Sequence, residues 1–220
     1  MRKEPAYENE IARILQTKEL KRLRGKDFLR TEDVDMHQSF MLFHLAERLK
    51  EMHTKKIRLP KLLDQKTVCL FFEKPSTRTR VSFDAGIHLL HGHSFFIDKT
   101  TTQMGRGEDM KDTALTLSQY TDAVMGRVFQ HKELEVMAKH APIPVINGLT
   151  DEDHPCQILS DLFTIREHFG HLKGLTLMYV GVSDNVTDSL LVGCAMVGVN
   201  MYVASPKQFP VSSKYLRIAH

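Results

Sequence analysis

The segment TVCLFFE, residues 67–73, is the feature that most narrows what this chain can fold into. It is short, nearly continuous in apolar residues and rich in branched and aromatic ones. That is the pattern of a parallel strand covered on both faces. Parallel strands need crossovers, and the neighbouring sequence supplies them. SFFID (94–98), DAVMGRVF (122–129) and IPVIN (143–147) read as further strands. RVSFDAGIHLLH (80–91), MKDTALTLSQY (110–120) and ELEVMAKH (133–140) read as the helices between them. Upstream the chain is mainly helical: in SFMLFHLAERLKEM (39–52), Met41, Leu42, Leu45, Leu49 and Met52 fall close to one face. Downstream, helix 156–169, strand LTLMYVG (175–181), helix 186–198 and strand NMYVAS (200–205) repeat the βαβ alternation, and SSKYLRIAH (212–220) starts another helix. The fold class is α/β with mostly parallel sheets. The helix at 156–169 opens a second unit, so the expected domains are 1–154 and 155–220. Two strands are too few to bury both faces of a doubly wound sheet, so the second, Rossmann-like unit is expected to be incomplete.

Bulk properties remove several classes of function. The 220 residues, 42% apolar and 26% charged, are enough for a real core. A net charge of +3, spread along the chain, does not favour a nucleic-acid partner. No apolar run approaches the ~18 residues of a membrane span. The start, MRKEPAYENEIAR, has no apolar h-region, and Glu8 and Glu10 run against a transit peptide. Cys69, Cys156 and Cys194 lie far apart without a CxxC pair, which fits reduced thiols in the cytoplasm.

Where strand 67–73 gives way to helix 80–91, the chain reads FFEKPSTRTR (71–80), crowding Lys74, Arg78 and Arg80 among Ser76, Thr77 and Thr79. In a parallel α/β sheet, ligands bind at the carboxyl ends of strands, where the next helix presents unpaired, partly positive amide groups. Ser76 and Thr77 are good caps, and Pro75 discourages an earlier helical start. With Arg78 they suit an oxyanion with several acceptors. Arg78 and Arg80 lie about 200° apart around a helix, so one is expected on the ligand and the other in a structural ion pair. The plainer alternative is a capped, solvated basic turn. There is no GxxxxGK[ST], and GVSDN (181–185) lacks GxGxxG, so a small phosphate compound is expected rather than a nucleotide.

Other residues break their surroundings. Arg127 interrupts an apolar strand and needs either a buried partner or an anionic ligand at the strand end, with Gly126 leaving room for close approach. His154 and Gln157, in DEDHPCQ, could point to one spot above a helix start, with Pro155 at the first helical position. Cys156 has no nucleophile elbow and reads as packing. His88, His91 and His93 have loose metal spacing without a carboxylate or cysteine to complete it. The polar segment 100–113 reads as a mobile loop, a lid or an intersubunit contact.

FFEKPSTRTR, Arg127 in DAVMGRVF and HPCQ, in that order, together resemble the aspartate/ornithine carbamoyltransferase family over nearly the whole chain. The first is similar to that family's Ser-Thr-Arg-Thr carbamoyl-phosphate motif and the last to its His-Pro-x-Gln motif. Lys74, QMGRGEDMKDT (103–113) and KGLTLMYVG (173–181) resemble the ornithine branch more than the aspartate branch. The resemblance implies that Ser76, Thr77, Arg78 and Thr79 hold the phosphate of carbamoyl phosphate, and that Arg127, His154 and Gln157 contact its carbamoyl group. His154, Arg127 and Thr79 would polarise the carbonyl oxygen. Gln103 would reach the phosphate of a neighbouring subunit in a homotrimer with shared sites. The side-chain amine of L-ornithine would attack the carbamoyl carbon to give L-citrulline and phosphate, in arginine metabolism. No metal or organic cofactor is implied, because carbamoyl phosphate is already activated.

The sequence also departs from that family. The ornithine branch usually shows Gly-Asp-Gly-Asn-Asn at the first βα turn of its second domain. Here GVSDN keeps only Asn185 as a contact to the amino-acid end of ornithine. The later Asp-x-x-x-Ser-Met segment and His-Cys-Leu-Pro loop do not occur within the 220 residues. Two alternatives stay open: a carbamoyltransferase for another amine such as putrescine, and a truncated, non-catalytic paralogue that binds carbamoyl phosphate.

Overall fold

The computed structural model describes residues 4–219. The chain opens with helices α1 (Glu4–Leu15), α2 (Lys18–Leu23) and α3 (Met36–Thr54). α3 starts at a capping box: the Asp35 carboxylate accepts the Gln38 N–H, and the Gln38 side chain accepts the Asp35 N–H, both at 2.8 Å. There follow β1 (Thr67–Phe72), α4 (Thr77–Leu89), β2 (His93–Asp98), short 3-10 turns at Lys99–Thr101 and Gln103–Arg106, α5 (Met110–Ser118), β3 (Ala123–Arg127), α6 (His131–His140) and β4 (Val145–Leu149). The four strands form one parallel sheet in the order β2-β1-β3-β4. Chain direction across the sheet reverses between β1 and β3, and a crevice opens outside the carboxyl ends of strands at such a point. Phe72 pairs with Arg127 and Arg127 with Leu149, so three strands end at one level there.

The apolar run of β1 is buried on both faces, as its composition predicts. Cys69 and Phe71 pack with Met110, Ala114, Leu134 and Met137 of α5 and α6, while Val68, Leu70 and Phe72 pack with Ile87 of α4. This is the period-two alternation of a strand inside a two-sided sheet. Gly126 of β3 serves this packing rather than a ligand. A Cβ there would lie 2.4 Å from Leu134 Cδ2, so the space it leaves is filled from α6.

The rest of the chain forms α7 (Pro155–Phe169), β5 (Thr176–Val180), α8 (Asn185–Val197), β6 (Asn200–Ala204) and α9 (Ser213–Ala219), with β5 and β6 as a parallel pair. One face of this pair is covered. Ile158, Leu162, Leu190 and Cys194 form its core, joined by Phe43 from α3. Gly193 lets α8 approach α7, since a Cβ there would meet Ile158 Cγ2 at 2.3 Å. The other face is open: Met178, Val180 and Tyr202 are 67%, 72% and 63% exposed. Two strands without a second helical layer make the partial second unit that the sequence predicts.

Element ends differ from the sequence reading for local reasons. α4 begins at Thr77 rather than residue 80 because Ser76 caps it. β3 stops at Arg127, where the register shifts and the Arg127 carbonyl accepts the N–H groups of Glu73 and Lys74 at 2.9 and 3.3 Å. β4 begins after Pro144, whose carbonyl accepts the Val124 N–H at 3.0 Å. The polar segment from residue 100 folds into 3-10 turns and the start of α5, where Met110 is buried. No helix among the described residues is long and apolar enough to cross a membrane.

Candidate active site

The crevice at the ends of β1, β3 and β4 is a cavity of about 320 Å³. Ser76, Arg78, Thr79, Arg127, His154 and Gln157 all line it. Ser76 is the cap of α4, with φ at −160°, and its Oγ accepts the Thr79 N–H at 3.3 Å. Thr79 Oγ1 receives Ser76 Oγ at 3.0 Å and Arg127 Nη1 at 3.3 Å. With both lone pairs engaged, the Thr79 hydroxyl proton is left to donate into the cavity. The first-turn N–H groups of α4 add further donors.

Among the described residues, Arg127 lacks the buried acidic partner that is one of its two sequence readings. No carboxylate among the described residues forms a salt bridge with it, and its buried Nε has no partner. Burial, and then the nearby Arg78, lower its pKa. Two guanidinium groups therefore face one cavity without a counter-charge, an arrangement that favours a bound anion. The acid beside the cradle is already neutralised: Glu73 accepts Lys99 Nζ at 2.6 Å and the Phe129 N–H at 2.9 Å, and Lys99 also reaches Glu133 at 2.9 Å.

His154 caps α7 at φ −135° and ψ 62°, with Pro155 at the first helical position. Burial, followed by the charges of Arg127 and Lys74, pushes its pKa down to about 4, so the imidazole is neutral near pH 7. Its Nδ1 is buried without a partner. Gln157, one turn on, donates its Nε2 to Asp161 at 2.8 Å, which leaves Oε1 as an acceptor. Cys156 lines the same cavity, but its Sγ donates to the Asn147 carbonyl at 3.4 Å, and burial, then Asp153, pushes its thiol up to about 12. It is a packing group, as its context suggests.

Other sequence candidates lie elsewhere. Thr77, the first residue of α4, lines a neighbouring hollow with Arg80 and Phe96. Arg80 corrects an expectation: among the described residues it has no ion pair, and its guanidinium instead stacks 3.8 Å from the Phe96 ring centroid. Asp98 lines the same hollow, but its carboxylate accepts the Thr100 N–H and hydroxyl at 2.9 and 2.6 Å. Gln103 opens the second 3-10 turn, exposed and off the cavity. Asn185 opens α8, off the cavity too; its amide donates to the Thr150 carbonyl and its Oδ1 accepts the Val186 N–H. His88, His91 and His93 build no metal site: among the described residues no three or more His, Cys, Asp or Glu side chains gather for an ion.

Sequence reasoning passed over Asp153, Ser189 and Thr31. Asp153 is fully buried and accepts hydrogen bonds from the Thr31 N–H at 3.2 Å, the Thr31 hydroxyl at 2.8 Å and the Ser189 hydroxyl at 2.8 Å. In DEDHPCQ an acid before a helix reads as surface, and its partners lie too far along the chain to be read locally.

Residues 26–167 match the family model for the aspartate/ornithine carbamoyltransferase carbamoyl-P binding domain. The ornithine carbamoyltransferase of Anoxybacillus flavithermus is 49% identical over 187 residues, 85% of this chain and 59% of that protein. That of Bacillus subtilis is 46% identical over 189 residues, 86% of this chain and 58% of that protein. Among solved structures, the ornithine carbamoyltransferase from Pyrococcus furiosus superimposes with a TM-score of 0.87 at 39% identity, covering 90% of this chain and 63% of that one. The Thermus thermophilus enzyme gives 0.81 at 35%, covering 88% and 66%. The chain thus spans about three fifths of the length of the curated relatives it matches.

Proposed function

The chain belongs to the aspartate/ornithine carbamoyltransferase family, and we propose that its cavity binds carbamoyl phosphate as the donor half of an ornithine carbamoyltransferase. The observation that carries this is the pair Arg78 and Arg127 facing one cavity beside the cap of α4, with no carboxylate among the described residues paired to Arg127. The phosphate takes the first-turn N–H groups of α4, through which Thr77 contributes, together with Ser76 and Arg78, and the carbamoyl oxygen takes Arg127, the Thr79 hydroxyl and neutral His154. Gln157, with its amide nitrogen held by Asp161, accepts from the carbamoyl NH₂. The neutral side-chain amine of ornithine attacks the carbamoyl carbon, the bond to the phosphate oxygen breaks, and the amine gives up a proton as citrulline and phosphate form. The donors stabilise charge that builds on the carbonyl oxygen and leaving phosphate, and binding supplies alignment.

Residues 1–154 would form the donor unit and 155–220 the start of the acceptor unit. Asn185 would contact ornithine by exchanging its bond to Thr150. The exposed Gln103 supports a homotrimer in which this turn completes a neighbour's site. Free thiols at Cys69, Cys156 and Cys194 support a cytoplasmic setting, and the proposed conversion of ornithine to citrulline would place the chain in arginine metabolism. Calorimetry with phosphonoacetamide, a stable analogue of carbamoyl phosphate, tests donor binding, and citrulline formation from ornithine against the product from putrescine tests the acceptor. Absence of any phosphonoacetamide binding overturns the reading. Binding without turnover on either amine assigns the chain a non-catalytic role.

A further inference from the structure

We propose that Asp153 and Ser189 are positioning residues for His154, and that through them helix α8 of the second unit sets the place of that imidazole in the donor cavity. The inference rests on the donor-binding reading above.

Asp153 is a carboxylate at 0% exposure with no cation paired to it among the described residues. A buried charge of this kind is tolerated only with strong hydrogen-bond donors. Its donors come from Thr31, before β1, and Ser189, in α8, so it ties together three segments remote in sequence. The same Ser189 Oγ accepts the backbone N–H of His154 at 3.1 Å. Ser189 also lies 2.7 Å from the Asn185 carbonyl, but the charged carboxylate is the stronger acceptor for its single proton.

The peptide entering His154 is gripped from its other side as well. The Asp153 carbonyl accepts the Thr150 N–H at 3.0 Å and Asn147 Nδ2 at 3.1 Å. With the peptide between Asp153 and His154 hydrogen-bonded through both its carbonyl and its N–H, the backbone of His154 is fixed just ahead of Pro155. The buried Nδ1 has no partner, so the backbone places the ring. Four residues before Ser189, on the same face of α8, Asn185 donates to the Thr150 carbonyl. The first two turns of α8 therefore grip the loop 150–154 at two points.

The test is Ser189→Ala, with phosphonoacetamide and inorganic phosphate each titrated by calorimetry and the His154 ring followed by NMR. Phosphate alone fills the cradle of α4 and does not need His154, whereas phosphonoacetamide does. The expected result is about tenfold weaker phosphonoacetamide binding, phosphate binding changed by less than about twofold, and a displaced His154 resonance. Ser189→Thr, which keeps the hydroxyl, should restore the wild-type ratio. Equal losses for both ligands, or an unmoved His154 signal with unchanged binding, overturns the proposal. If Ser189→Ala does not fold, Asp153→Asn carries the same comparison, since it keeps shape and removes the charge. A wild-type chain that binds phosphate but not phosphonoacetamide contradicts the donor reading before any variant is compared.

Discussion

Replacing Arg127 with methionine should stabilise the ligand-free protein while destroying the site. Arg127 has no salt bridge among the described residues, its Nε is buried without a partner, and Arg78 repels it. A fully buried, unpaired ion costs several kcal/mol. Arg127 keeps one hydrogen bond, to Thr79 at 3.3 Å, and faces an open cavity, so about 1 kcal/mol of that cost should remain to be recovered. For a chain of this length that raises Tm by roughly 2–4 °C. Binding moves the other way. Two charge-assisted hydrogen bonds at about 1.5–3 kcal/mol each make the variant roughly 10²–10⁴-fold weaker for phosphonoacetamide. At a ligand concentration of about 100 times the wild-type Kd the wild-type chain gains ~2.7 kcal/mol and its Tm rises, while the variant gains at most about 0.4 kcal/mol. Thermal scans with and without ligand should therefore cross, the variant melting higher when empty and lower when ligand is present. An empty variant that melts several degrees lower, yet still responds to ligand, would show Arg127 to be a structural residue and refute the reasoning.

Three further outcomes are expected. Arg78→Ala should abolish phosphonoacetamide binding in calorimetry, whereas Arg80→Ala, which loses only its stack on Phe96, should bind normally and lose about 0.5–1 kcal/mol of stability in urea titrations. His154 has a folded-state pKa near 4, below the value of 6.5 for a free imidazole, so the unfolded chain takes up the proton first. Its contribution is complete above pH 6.5 and is lost as the pH falls towards 4; His154→Gln should flatten that part of the urea midpoint against pH. Gly193→Ala should lower stability by about 1–3 kcal/mol in the same titrations, because the added Cβ meets the buried, stiff Ile158 side chain at 2.3 Å.

The open face of β5 and β6 follows from the same accounting of layers. Parallel strands of this composition are normally covered twice, and here α7 and α8 supply one cover while Met178, Val180 and Tyr202 stand in solvent. The donor cavity does not depend on that missing cover. It is built from the ends of β1, β3 and β4 and the starts of α4 and α7, all of which have both sides packed or capped.

What the sequence settles by itself is whatever local physics can settle. TVCLFFE reads as a strand buried on both faces, and Ser76 after Pro75 reads as a cap, although the helix it opens starts three residues before the one read from the pattern. Two arginines two residues apart could not serve one small anion together, so Arg78 and Arg80 had to part. Tertiary structure decided where Arg80 went, and it sent that guanidinium to the Phe96 ring while Asp98, in the same hollow, is held by Thr100. It also decided that Arg127 has no salt bridge among the described residues and that Gly126 makes room for Leu134. Asp153, an apparent surface acid, is buried under Thr31 and Ser189. Each of these depends on partners tens of residues away. Periodicity and capping act within a turn or two of helix and are written locally; the pairing of a buried charge is written only where the chain comes back to it.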